Sequence, residues 1–206
     1  MRLFCLIFLI QLFLFSCESP GDKENRLKLE QQAIRESDAE SKEAEEERKL
    51  ALEIERKTQE LYNRYINNSL NQGATPYSSC FGGNQICSSN GCSEIKVNGP
   101  KDSDVLVTIK SGNRVIRHAY IKSGNSYTFQ LPNGKYQPFF YFGKGRNPEK
   151  EMGSQSCTEL KGGFISEDVF GKDDPQELGD TVLTYSLVLQ KSGNFSTRPS
   201  NELEAF

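Results

Sequence analysis

The stretch Tyr127-Thr-Phe-Gln-Leu-Pro-Asn-Gly-Lys-Tyr136 decides the fold. Successive side chains of an extended chain point to opposite sides, so Tyr127, Phe129 and Leu131 share one face. Pro132-Asn-Gly134 then supplies a tight turn. Working outward, Val105-Leu-Val-Thr-Ile-Lys110 alternates in the same way. Val115 to Lys122 is a second run, and Ser111-Gly-Asn113 and Ser123-Gly-Asn125 separate the runs as turns. Tyr136-Gln-Pro-Phe-Phe-Tyr-Phe142 is the most aromatic segment. Val182 to Gln190 follows later, and Lys191-Ser-Gly-Asn194 leads from it into Phe195-Ser196-Thr197. Short strands joined by Gly/Asn turns predict an antiparallel β-sandwich or barrel.

The pattern Tyr127-x-Phe-x-Leu-Pro-x-Gly-x-Tyr136 resembles the hairpin of transthyretin-like and carboxypeptidase-regulatory-like β-sandwiches, and Val105 to Phe142 shares that rhythm. The resemblance implies a Greek-key sandwich of a kind common on bacterial surfaces. The head as a whole also resembles lipoproteins of Bacteroidetes, which carry a similar Asn194-Phe-Ser-Thr-Arg-Pro-Ser200 segment. That likeness implies a location and a fold and transfers no activity.

Upstream the composition changes. Met1-Arg2 opens on a positive charge, and Leu3 to Phe15 is apolar apart from Gln11. This run is shorter than the roughly 20 residues that span a bilayer and fits the core of a secretory signal. It ends in Leu14-Phe15-Ser16-Cys17, which resembles the lipobox of bacterial lipoproteins. The resemblance implies removal of residues 1–16 and lipidation of Cys17. Each buried CH₂ contributes about 0.8 kcal/mol, and two or three acyl chains such as palmitate anchor stably where one does not. The expected location is therefore the bacterial cell envelope, lipid-anchored at the outer membrane or cell surface in preference to the inner membrane.

After a spacer at 17–22, residues 23–71 hold ten Lys plus Arg and twelve Asp plus Glu, with no Pro or Gly from Lys23 to Asn68. These residue types favour a helix, and Glu45 with Lys49, Glu53 with Lys57 and Glu60 with Arg64 stand at supporting spacings. Leu50, Ile54, Leu61 and Tyr65 form an apolar stripe, with Leu27 and Ile34 further up. Residues 35–49 offer only Ala39 and Ala44, too little for sustained heptads. The expectation is a charged α-helical stalk of roughly 65–70 Å if fully helical, able at most to pair weakly as a coiled coil through 50–66. A linker at 72–79 then leads to a β head at 80–206.

The formal charge of -3 divides unevenly, because 77–206 carries fourteen charges of each sign. A neutral head with no basic excess argues against a nucleic-acid partner. Four cysteines remain beyond the lipobox: Cys80, Cys87, Cys92 and Cys157. An even count in an exported chain predicts two disulfides, with three connectivities open. One bridge must tie the 80–92 loop to Cys157. The spacing C-x₆-C-x₄-C lacks the second knuckle of a structural zinc site, so no metal and no cofactor is expected.

Catalysis finds little support. His118 is the only histidine and lies within a strand, on the face of Ile116 and Tyr120. A Ser-His-Asp or Cys-His arrangement would have to use it. The adjacent acids Glu167-Asp168 and Asp173-Asp174 read as solvated loop residues, and Gly143-Lys-Gly-Arg146 as a Gly-rich turn. Binding is easier to place. If Phe140 and Phe142 fill a core, Phe139 and Tyr141 face the other way, beside Lys144 and Arg146. Exposed there, they would form an aromatic and cationic contact patch for a protein or glycan. Asp180-Thr181-Val182 looks like an Asp-Ser/Thr-aliphatic O-glycosylation acceptor. The expected function is a cell-envelope lipoprotein presenting a non-catalytic β-sandwich interaction module on a helical stalk. The alternative is an immunity or inhibitor-type lipoprotein that neutralises a toxin or hydrolase, ahead of a glycan- or peptide-acting enzyme relying on carboxylates.

Overall fold

A computed structural model of the chain describes residues 20–88, 91–188 and 198–206. Cys17, the leader and the 189–197 segment lie outside them. Helix α1 runs Pro20–Tyr65. Its sequence is rich in Glu, Lys, Arg, Gln and Ala, and ion pairs form along its surface: Lys28 with Glu24 at 2.8 Å, Lys49 with Glu45 at 2.7 Å, and Arg56 and Lys57 both with Glu53. Each such exposed pair contributes only a few tenths of a kcal/mol. No helix among the described residues is long and apolar enough to cross a membrane.

The chain divides into compact units at 1–57 and 58–206. In the first, Leu27, Leu29, Ile34, Leu50 and Leu52 are all exposed. The second is mainly β and is crossed by two disulfides, the architecture that the composition change at residues 72–76 predicts.

Its strands are β1 (Cys92–Asn98), β2 (Asp104–Ser111), β3 (Arg114–Ile121), β4 (Ser126–Pro132), β5 (Gly134–Glu151), β6 (Lys161–Lys172), β7 (Gln176–Leu178), β8 (Val182–Ser186) and β9 (Arg198–Pro199). One sheet has the order β4-β1-β8 and the other β3-β2-β5-β6-β9, with β7 beside β5. Neighbours are antiparallel except β1 and β8, which run parallel from Glu94↔Val182 to Asn98↔Ser186. A parallel pair cannot be joined by a hairpin, and β8 follows β1 only after β2 to β7 have been laid down.

Alternation on each strand builds two cores. Val105, Val107 and Ile109 of β2 join Phe140 and Phe142 of β5 against Ile95, Val97, Phe129 and Leu131. Fully burying a side chain of this size contributes about 1.5–3 kcal/mol. The opposite face of β2 and β5, with Leu106, Phe139 and Tyr141, is also covered. Tyr77, Met152, Leu160, Phe164 and Phe206 lie over it.

The compact unit with the sheets begins at Thr58, not at residue 80 as the composition suggested. The reason is packing: Tyr65 is buried, and Leu70, Ala74 and Tyr77 belong to the second core. Gly145 of β5 makes the seat for the helix end. Its φ is +67°, and a Cβ there would lie 2.6 Å from the Ile66 Cα and 2.7 Å from the Tyr65 carbonyl oxygen. Neighbouring backbone bonds finish the join, with the Arg146 N–H donating to the Asn68 carbonyl at 3.0 Å.

Candidate functional site

The aromatic patch expected at Phe139 and Tyr141 is not a surface. Phe139 is 5% exposed and Tyr141 1%. Tyr141 stacks on Phe170 with ring centres 4.2 Å apart, and the Lys110 ammonium lies 5.5 Å from the Phe139 ring centre. The two side chains do point away from Phe140 and Phe142, but into the second core. Lys144 pairs with Glu167 at 3.1 Å. Arg146 lays its guanidinium over Gly162, where a Cβ would meet Nη2 at 2.0 Å. Both cations are thus engaged in holding the β5–β6 pair.

His118 is likewise sealed, at 0% exposure. Its Nε2 accepts the Tyr77 N–H at 3.1 Å, and the two rings stack at 6.0 Å with 19° between planes. Burial holds its pKa down to about 4, opposed by the Thr75 carbonyl. The imidazole is neutral at pH 7 and acts as an acceptor for a backbone amide under the Tyr77 segment.

The cysteines pair as Cys80–Cys157 and Cys87–Cys92, with Cα separations of 5.7 and 6.1 Å. The first is the expected long bridge and ties α2 (Ser78–Phe81) across the second core to the loop after β5. Among the described residues, no group of three or more His, Cys, Asp or Glu could hold a metal ion. Asp173 accepts from Tyr185 at 2.8 Å and Asp174 pairs with Arg198 at 2.9 Å, so both acids serve structural contacts. Thr181 is exposed beside Asp180, which holds a positive φ of 53°.

The structure does bring together a different set. A cleft of about 320 Å³ opens between the last two turns of α1 and the β5–β6 pair. Thr58, Leu61 and Tyr62 line one wall, while Asn147, Lys150, Phe164, Ile165 and Asp168 line the other. Residues 58, 61, 62 and 65 share one helix face by their spacing. Tyr65 at its end is buried, whereas Leu61 and Tyr62 remain 44% and 42% exposed. That face is seated at one end and open above it.

The polar groups of the cleft are fixed from behind. Asp168 forms an ion pair with Lys150, whose Nζ also donates to the Phe164 carbonyl at 3.0 Å. The buried Tyr141 hydroxyl accepts the Phe164 N–H at 2.7 Å, on the side of the Asp168 carboxylate. Burial first, and the Asp168 carboxylate second, push the Tyr141 phenol far above its ordinary value, so it remains a donor. Asn147 gives its Oδ1 to the Glu149 N–H at 2.9 Å. Glu167, next to Asp168, has φ 56°, an uncommon conformation for a residue with a Cβ. The β5–β6 register shifts between Phe142 and Lys144 opposite this point, so the strand bulges where Asp168 is aimed.

Nothing in the runs Leu61-Tyr62, Asn147–Lys150 or Phe164–Asp168 marks them as partners in sequence. The one available signal was the 58/61/62/65 helix face, which continues beyond what a solvated stalk requires. No family model, no curated protein and no solved structure matches this chain.

Proposed function

We propose that the chain is a cell-envelope lipoprotein, lipidated at Cys17, whose β unit is a non-catalytic binding module. The cleft lined by Tyr62, Asn147, Lys150 and Asp168 is its contact site. One observation carries this reading: the cleft combines half-exposed apolar side chains with polar groups already held in place, Lys150 by the Phe164 carbonyl and Asp168 by Lys150. Pre-oriented polar groups beside an apolar wall bind with little ordering cost. The histidine that hydrolytic chemistry would recruit supports the β fold instead, by accepting a backbone N–H. The immunity or inhibitor reading is a special case, in which the captured partner is a toxin or hydrolase.

The test is photocrosslinking in the native envelope. A photoreactive residue at Leu61 should yield a discrete adduct, and one at exposed Lys135 on the far strand end should not. Equal, diffuse labelling from both positions would refute a contact site at the cleft. Separately, Cys17→Ser should release the chain from membranes into the soluble fraction. Tight membrane association after that change would refute the lipid anchor.

A further inference from the structure

Resting on the contact site proposed above, the chemistry of the cleft points to its ligand class. We propose that it takes an uncharged peptide segment of a partner protein, anchored by one aromatic or branched aliphatic side chain. Three features lead there.

The first is charge. Lys150 and Asp168 neutralise each other across the wall, and Lys144 and Glu167 do the same beside it. A charged ligand would find no net counter-charge and would lose hydration on entry. The second is the lining. Leu61, Tyr62, Phe164 and Ile165 supply apolar surface on both walls. Lys150 and Asp168 are committed to each other, so the lining holds few polar groups for the several hydroxyls of a sugar, whereas an apolar side chain needs none. The third is the pattern of remaining polar capacity. The Asn147 Nδ2 is bonded by none of the described residues, and a carboxylate such as Asp168 can accept more bonds than Lys150 supplies. One donor and one acceptor at the rim of an apolar wedge complement the C=O and N–H of a peptide main chain. A buried anchor side chain with flanking backbone bonds is how hot spots of protein recognition are built.

The probe is N-acetyl-L-phenylalaninamide, which carries one aromatic ring and two amide groups. It is titrated into the full chain in lipid nanodiscs and followed by NMR. A ligand of this size should bind with a Kd of about 1 mM, shifting the amides of Tyr62, Asn147, Ile165 and Asp168. Tyr62→Ala should weaken it by about fivefold or more, while Lys135→Ala should leave it unchanged. Asp168→Asn keeps a hydrogen-bond acceptor but unbalances Lys150. It should raise the affinity of N-acetyl-L-phenylalanine, the carboxylate form of the probe, relative to the amide. Cellobiose, run in parallel, should give no shifts. Shifts from cellobiose alone, or amide binding that survives Tyr62→Ala intact, would overturn the peptide assignment. A Leu61 crosslink in the envelope would in that case still stand for the binding-module reading, so the two can fail separately.

Discussion

Stability of the β unit should fall as pH drops from 6.5 to 5, through His118. An unfolded histidine takes up its proton near pH 6.5, whereas His118 in the fold is held to about 4 by burial. Between those values the unfolded chain binds more protons, so each unit of acidification favours unfolding by about 1.4 kcal/mol. The full interval amounts to about 3 kcal/mol, with stability complete above pH 6.5 and the loss complete below pH 4. From pH 6.5 to 5, before most carboxylates titrate, the loss is about 2 kcal/mol. The chain suits this measurement, because it has one histidine. It has no tryptophan, so tyrosine fluorescence and near-UV circular dichroism report the packing of Tyr77, Tyr120 and Tyr141. Urea unfolding across pH 5–8 should give midpoints that decline below 6.5. His118→Gln retains an acceptor for the Tyr77 N–H and should abolish the slope between 6.5 and 5. A flat profile in the wild type, a slope that persists in His118→Gln, or an NMR titration midpoint of His118 near 6.5 would each refute the argument.

Two further outcomes test the way the unit is closed. Replacing Cys80 and Cys157 together by Ser removes a bridge spanning 77 residues and should cost about 4 kcal/mol, whereas replacing Cys87 and Cys92, only 5 apart, should cost about 2 kcal/mol; chemical denaturation ranks them, and the reverse order would contradict the chain-entropy argument. Gly145→Ala forces a Cβ into the Tyr65–Ile66 backbone at a positive φ, and about 2 kcal/mol of local destabilisation should follow; hydrogen exchange should lose protection over 58–68 while the Val107 and Phe140 amides keep theirs, and unchanged exchange at 58–68 would show that the helix end does not depend on this seat.

The strands were legible because their physics is local. In β2 and β5 the alternation of Val105, Val107 and Ile109 with Leu106 and Thr108, and of Phe140 and Phe142 with Phe139 and Tyr141, assigned every side chain to its correct face. Helix α1 was legible for the same reason, since its residue types and charge spacings act within a turn or two. Alternation, however, reports only which side chains share a face. What covers that face is set by segments far away in the chain, and for this reason Phe139 and Tyr141 could be oriented correctly while their exposure stayed open. The cleft was illegible on the same grounds: Tyr62, Lys150 and Asp168 are brought together by the β5–β6 pairing and by the packing of Tyr65 and Ile66 on Gly145.

The covering segments escaped notice because they hold on through polar bonds at their margins. Thr108 donates to the Ala205 carbonyl at 2.9 Å, and Lys110 to the Glu204 carbonyl at 2.7 Å. Ser154 donates to the Phe206 carbonyl at 3.0 Å, and His118 accepts from Tyr77. Thr108, Lys110 and His118 lie on the face of β2 and β3 that this cover buries. A threonine, a lysine and a histidine in alternating positions suggest water, yet each satisfies a backbone group of the cover and so avoids the penalty of burying that group unpaired. The second core is therefore apolar at its centre, where Tyr141, Phe164 and Phe206 meet, and hydrogen-bonded at its rim. A layer built this way contributes stability without a hydrophobic run in the segments that form it. The cleft lies beside the β5–β6 bulge, and the open helix face at Leu61 and Tyr62 forms its wall on that side.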